Sequence, residues 1–116
     1  MNQKEVNYNA IQGDSFILNI TYTDSDKNPI DLTGYTGRIE VRDKPGGKII
    51  CAVGTMGDGI TIPYATAGQI VVNLTPAKTK KFVIPRSAYQ IQITSPGGIA
   101  STISNGWIIV DPGVID

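Results

Sequence analysis

Apolar and polar residues alternate with a period of two in four long segments of the chain, and more weakly in four shorter ones. The long segments are residues 16–23, 37–42, 69–75 and 89–94, and the shorter ones are residues 48–53, 59–63, 99–103 and 106–110. A period of two places alternate side chains on opposite faces of a strand. The pattern therefore predicts an all-β chain whose strands are each buried on one face.

Turn-forming sequences separate these segments. Residues 24–29 combine Asx side chains with a proline, and the remaining turns are rich in glycine: residues 33–34, 45–47, 57–59 and 96–98. Turns that recur every 10 to 15 residues or so are typical of a sandwich or barrel. We predict an antiparallel β-sandwich of about seven to nine strands.

One short helix is expected after the third long segment. Thr75 can serve as its N-cap, Pro76 suits the first helical position, and Pro85 lies beyond its end. These positions predict one or two helical turns over residues 76–81.

The length of 116 residues is that of one domain. We expect a single domain over residues 1–116, with residues 1–12 as an N-terminal arm or edge strand and residues 111–116 as a tail. The side chains expected to point into the core are Phe16, Leu18, Ile20, Ile39, Val41, Ile70, Val72, Leu74, Ile91, Ile93 and Trp107.

The last segment departs from simple alternation, because apolar residues occupy consecutive positions from Trp107 to Val110. Either this strand is covered on both faces, or its outer face meets another subunit. Ile17 and Val71 are also apolar at outward positions, while Arg38 and Arg42 share one strand face with Glu40. The candidate protein–protein interface residues are Ile17, Arg38, Arg42, Val71, Ile108 and Val110.

Composition excludes several classes of function. Ten Lys and Arg balance ten Asp and Glu, so there is no basic excess for nucleic acid and no reason to expect an anionic membrane as a partner. Cys51 is the one cysteine, which rules out an internal disulfide. Its apolar neighbours predict a reduced, buried or half-buried thiol without a redox role.

Histidine is absent from the chain, which removes the most common general base and metal ligand. The run Gly13-Asp14-Ser15-Phe16 superficially resembles the nucleophile block of a serine esterase, but such an enzyme needs a histidine. We interpret the run as a turn followed by a strand. We expect no enzymatic activity, no small-molecule substrate, and no catalytic, cofactor-binding or metal-binding residues.

Asp24, Asp26 and Asn28 have the 1-3-5 spacing of a calcium loop, but Pro29 stands where such a loop has glycine. Asx residues also favour turns, so a turn is the preferred interpretation. A weak surface cation is the alternative.

The block Pro29-Ile30-Asp31-Leu32-Thr33-Gly34-Tyr35, followed by Arg38 and by Val41-Arg42, resembles the signature of phage baseplate upper proteins. In that family the block lies in an N-terminal immunoglobulin-like domain, and small prophage tail proteins carry it too. Further segments that resemble the family are residues 13–16, 68–75, 89–93, 101–103 and 106–110.

The resemblance implies an immunoglobulin-like fold and a structural or adaptor role in a tailed-bacteriophage virion, in the tail, baseplate or fibre attachment. It implies assembly in the bacterial host cytoplasm, other virion proteins as partners, and a homo-oligomeric state. The alternatives are a carbohydrate- or cell-surface-binding β-sandwich, which needs an aromatic platform, and a capsid decoration or head-fibre protein.

Overall fold

The computed structural model describes residues 5–113, apart from the side chains of residues 51 and 52. Eight strands, one 3₁₀ turn over Ala65–Ala67 and one short helix make up the fold. In chain order the elements are β1 (Tyr8–Ile11), β2 (Phe16–Thr21), β3 (Thr36–Arg42), β4 (Ile49–Met56), β5 (Gly59–Tyr64), β6 (Gln69–Leu74), α1 (Pro76–Thr79), β7 (Arg86–Thr94) and β8 (Ala100–Asp111). The predicted all-β class, number of strands and single short helix are confirmed.

All eight strands belong to one sheet in the order β1-β8-β7-β3-β4-β5-β6-β2. Two pairings are parallel, β1 with β8 and β4 with β5, and the others are antiparallel. The β4–β5 pair joins the two halves of the molecule, so the sheet is continuous and barrel-like with one seam. The sheet edges β1 and β2 meet at this seam, where the rings of Tyr8 and Phe16 lie 6.2 Å apart between centroids.

The core lies inside the curled sheet and follows the predicted alternation. The side chains that were expected inside and are buried, or packed against the buried cluster, are Phe16, Leu18, Ile20, Ile39, Val41, Ile70, Val72, Leu74, Ile91 and Ile93. Trp107 was also expected inside, but it is partly exposed on the outer face because the next residue, Ile108, points inward.

Two residues of β8 that were predicted to lie at an interface point into the core instead. Ile108 and Val110 are 0% and 2% exposed and belong to the core. Ile108 points inward because it pairs with buried Ser87 on β7, and Ile109 therefore lies on the outer face with 40% exposure. Ile108 and Val110 therefore cannot serve as an exposed interface, and the apolar residues on the outer face of this strand are Trp107 and Ile109.

Helix α1 begins at Pro76 as predicted but ends at Thr79, two residues early. Thr75 occupies the N-cap position without a side-chain capping bond. The fully buried Thr79 hydroxyl instead binds the turn between β1 and β2: it accepts a hydrogen bond from the Gly13 N–H (3.0 Å) and donates one to the Asp14 carbonyl (2.8 Å). The helix thus anchors the chain beside the seam.

The turn interpretations agree with the structure. The Asp24 carboxylate accepts hydrogen bonds from the backbone N–H groups of Asp26 and Asn28, as an Asx turn does. Asp31 likewise accepts from the N–H and hydroxyl of Thr33, and these bonds lower the pKa of its carboxyl. The side chain of Cys51, which was expected to be buried or half-buried, lies outside the described part of the structure.

Candidate functional site

A shallow depression crosses the outer face of β3, β7 and β8. Cross-strand pairing places Arg42, Ala88 and Trp107 in one row, and Glu40, Gln90 and Asn105 in the next. The depression has a volume of about 340 Å³ and is walled at one end by Pro45 and Gly46 of the β3–β4 turn. A second hollow of about 200 Å³ continues it along β3 and β7 to Arg38 and Gln92. We call the two together the polar groove.

An ion-pair ladder runs along the β3 side of the polar groove. One carboxylate oxygen of Glu40 lies 2.8 Å from the Arg38 guanidinium, and the other lies 2.7 Å from that of Arg42. Arg42 also donates a hydrogen bond to the Gly47 carbonyl. The two arginines are therefore held in place by the strand and turn around them, although partly exposed pairs of this kind add only about 0–1 kcal/mol each to stability.

Trp107 forms the opposite wall of the polar groove. The guanidinium carbon of Arg86 lies 4.0 Å from the centroid of the indole, which is cation–π geometry. The backbone N–H of Trp107 donates to the Asn7 side chain at 2.9 Å. Ala88, small and 5% exposed, lies between this indole and Arg42 and forms the floor.

Hydrogen bonds also order the middle of the polar groove. The Gln90 amide donates to the Thr102 hydroxyl on β8 at 2.7 Å, which fixes the direction of its side chain. Amide, carboxylate and guanidinium groups then alternate with an aromatic ring along one surface. Such a surface can recognise a ligand by both stacking and hydrogen bonding.

A second surface follows the seam. Ile11 on β1 and Ile17 on β2 line an open hollow between the two sheet edges, and they are 45% and 56% exposed. Ile109 on β8 lies diagonally beside Ile11, and half-buried Val71 on β6 lies diagonally beside Ile17. These four apolar residues lie across four strands, with the polar residues Asp111 and Asn73 among them, and we call the four the seam strip.

The structure therefore divides the predicted interface residues into three groups. Ile17 and Val71 lie in the seam strip, Arg38 and Arg42 lie in the polar groove, and Ile108 and Val110 lie in the core. Sequence reasoning missed the exposed residues Ile11 and Ile109 and the outward position of Trp107. Strand β8 is apolar at consecutive positions, so its own sequence does not show which of its side chains point inward. Pairing with the neighbouring strand β7 decides this.

Few polar side chains are buried in the described part of the chain. The Tyr89 phenol donates to the Val6 carbonyl at 2.6 Å and lies 2.9 Å from the Ser104 hydroxyl. Burial raises the pKa of Tyr89 to about 12, so this phenol is a structural donor. Residues 5–113 hold no group of three or more His, Cys, Asp or Glu side chains arranged for a metal ion.

Helices able to cross a membrane do not occur in the described part of the chain. No protein-family model matches the sequence, and no curated protein matches it significantly.

Proposed function

We propose that the chain is a non-enzymatic structural or adaptor module of a tailed-bacteriophage particle, which acts by protein–protein assembly. The observation that carries the proposal is the seam strip, because it exposes isoleucines on both sides of an open sheet junction. Large apolar side chains gathered on one surface favour a protein partner. The phage assignment rests on the sequence block from Pro29 to Tyr35.

The backbone at the seam supports the same role. In the described chain β1 and β2 each pair with one neighbour, so each has one edge free of sheet partners. A free edge offers main-chain donors and acceptors to another strand, and soluble proteins cover or interrupt such edges. Assembly into a particle covers both this edge and the isoleucines beside it.

Cosedimentation with virus particles tests the proposal. Particles made by the virus or prophage that encodes the chain are grown with tagged wild-type protein, with the double variant Ile11→Asp, Ile17→Asp, or with Tyr64→Asp. Tyr64 is 66% exposed on β5, away from the seam, and serves as the matched control. We expect wild type and Tyr64→Asp in the particle fraction and the folded double variant in the free fraction.

Electron micrographs of labelled particles then give the position of the tag, which we expect at the tail. A wild-type protein that remains free of particles under these conditions would contradict the proposal. Equal incorporation of the double variant would contradict the assignment of the seam strip.

A further inference from the structure

The polar groove adjoins the seam strip on β8, where Trp107 and Ile109 are successive outward residues, but assembly through Ile11 and Ile17 uses none of the side chains that line the groove. It combines features that soluble domains use to bind small polar ligands: a concave shape, one aromatic wall and several fixed polar side chains. We propose that the polar groove binds a short neutral oligosaccharide, with the Trp107 indole against one face of a sugar ring.

The electrostatics of the polar groove favour a neutral ligand. Its lining contains Arg38 and Arg42, but also Glu5 and Glu40, and Arg86 on the indole leaves an excess of one positive charge. Both arginines already lie against the Glu40 carboxylate at 2.7–2.8 Å. A phosphate backbone is recognised through several available positive charges, whereas here two arginines are paired with Glu40 and the third lies over the indole.

The backbone around the polar groove disfavours an extended peptide. Strands β3, β7 and β8 each have neighbours on both sides within the sheet. The floor therefore presents side chains and no free strand edge, and strand addition requires such an edge. A ligand must bring its own donors and acceptors, as a sugar does with its hydroxyl groups.

The polar side chains supply partners for hydroxyl groups. Each Glu40 oxygen lies against one arginine and retains capacity for a hydrogen bond from a ligand. The amides of Gln90 and Asn105 each contain both donors and acceptors. From Arg38 to Arg42 the groove follows four residue steps of strand, about 14 Å, which suits an oligosaccharide better than a single ring.

Trp107 is the one tryptophan of the chain, so its fluorescence reports on the polar groove directly. The experiment titrates the full chain with three neutral trisaccharides, maltotriose, cellotriose and N,N′,N″-triacetylchitotriose, and follows tryptophan emission together with calorimetric heat. We expect a saturable change in both signals for at least one of them.

Variants locate the binding. Gln90→Ala, at an exposed position, should weaken the affinity by about five- to tenfold, equivalent to one lost hydrogen bond. Trp107→Ala, measured by calorimetry, should weaken it by about tenfold or more. Tyr64→Ala removes an exposed aromatic ring on β5 and should leave the affinity unchanged. Circular dichroism checks that each variant is folded.

Three results would overturn the inference. They are the absence of any response to all three trisaccharides, unchanged affinity in both groove variants, and a response to a thymidine oligonucleotide with none to the sugars. The particle-binding test of the seam strip gives an independent answer, because it changes none of the residues in the polar groove.

Discussion

The Thr79 hydroxyl joins helix α1 to the turn between β1 and β2. Its side chain is fully buried, and its bonds to Gly13 and Asp14 span more than sixty residues of sequence. In Thr79→Val the shape is retained, but a backbone donor and an acceptor lose their partner. We expect the free energy of unfolding to fall by about 1–3 kcal/mol in urea titrations.

Thr61→Val is the control for this change, because Thr61 is exposed on β5. It should alter stability by less than about 0.5 kcal/mol. A Thr79→Val protein as stable as the control would show that the hydroxyl bonds add nothing to the fold.

Tyr89 makes stability depend on pH in the alkaline range. The folded-state pKa of about 12 exceeds the ordinary value of 10.0, because the phenol is buried. Between these values the folded state holds more protons than the unfolded state, so stability falls as pH rises. The stability advantage of wild type over Tyr89→Phe should therefore be greatest at neutral pH and shrink as the pH rises above 10.0.

At neutral pH, Tyr89→Phe should be less stable by about 1 kcal/mol, because the Val6 carbonyl loses its donor. Curves that stay parallel from neutral pH through the alkaline window would contradict the raised pKa. Phenolate absorbance in the folded protein provides a second measurement of the same titration.

At the scale of elements, adjacent residues of β8 lie on opposite faces of the sheet, one in the core and the next on the surface. Ile108 is fully buried and Ile109 is 40% exposed. Ile108→Asp places an unpaired charge in the core at a cost comparable to the whole stability of a small domain, about 5 kcal/mol or more. We expect it to unfold the protein, while Ile109→Asp keeps the circular-dichroism spectrum of wild type.

This pair also tests the orientation of β8 itself. If Ile108→Asp folded normally and Ile109→Asp did not, the phase of β8 would be opposite to the one described. Thermal unfolding of both variants beside wild type distinguishes these outcomes.

The strands with strict alternation could be predicted from the sequence, including which face is buried. Ile39 and Val41, or Ile91 and Ile93, alternate with polar residues, so burial of one set follows from local pattern alone. The alternation predicts separate strands over residues 99–103 and 106–110, whereas one continuous strand, β8, runs over Ala100–Asp111. Gly106 lies within it at φ +150°, and the position requires glycine because a Cβ there would clash with the Val6 carbonyl oxygen.

The polar groove could be predicted only in part. Arg38, Glu40 and Arg42 share a face of one strand, so their proximity followed from the period of two. The arrival of Trp107 and Gln90 on the same surface depends on pairing between β3, β7 and β8. Such long-range registers are set by tertiary packing and turn geometry and are not encoded in any one segment.

At the scale of the whole molecule, β1 completes the sheet beside β8. It contributes Tyr8, which packs against Phe16 and Tyr89, and buried Ala10. Removal of residues 1–11 takes away these contacts and frees the edge of β8. We expect a loss of several kcal/mol in stability and association between exposed edges, visible by light scattering.

Tyr8→Ala in the full-length chain is the control for this truncation. It removes the ring but retains the backbone pairing of β1, so it should lower stability without promoting association. A truncated protein that stays monomeric and as stable as Tyr8→Ala would show that β1 contributes little as a strand.

The parallel pairing of β1 with β8 also determines how the molecule bears tension. Residues 8–11 run beside residues 108–111 in the same direction. A force that pulls the chain at Val6 and at Pro112 in opposite directions therefore slides the two strands along each other. Their evenly spaced hydrogen bonds are then loaded together in shear, whereas a peeling force would break them one at a time. Loaded through these two points, the domain is a mechanically resistant link.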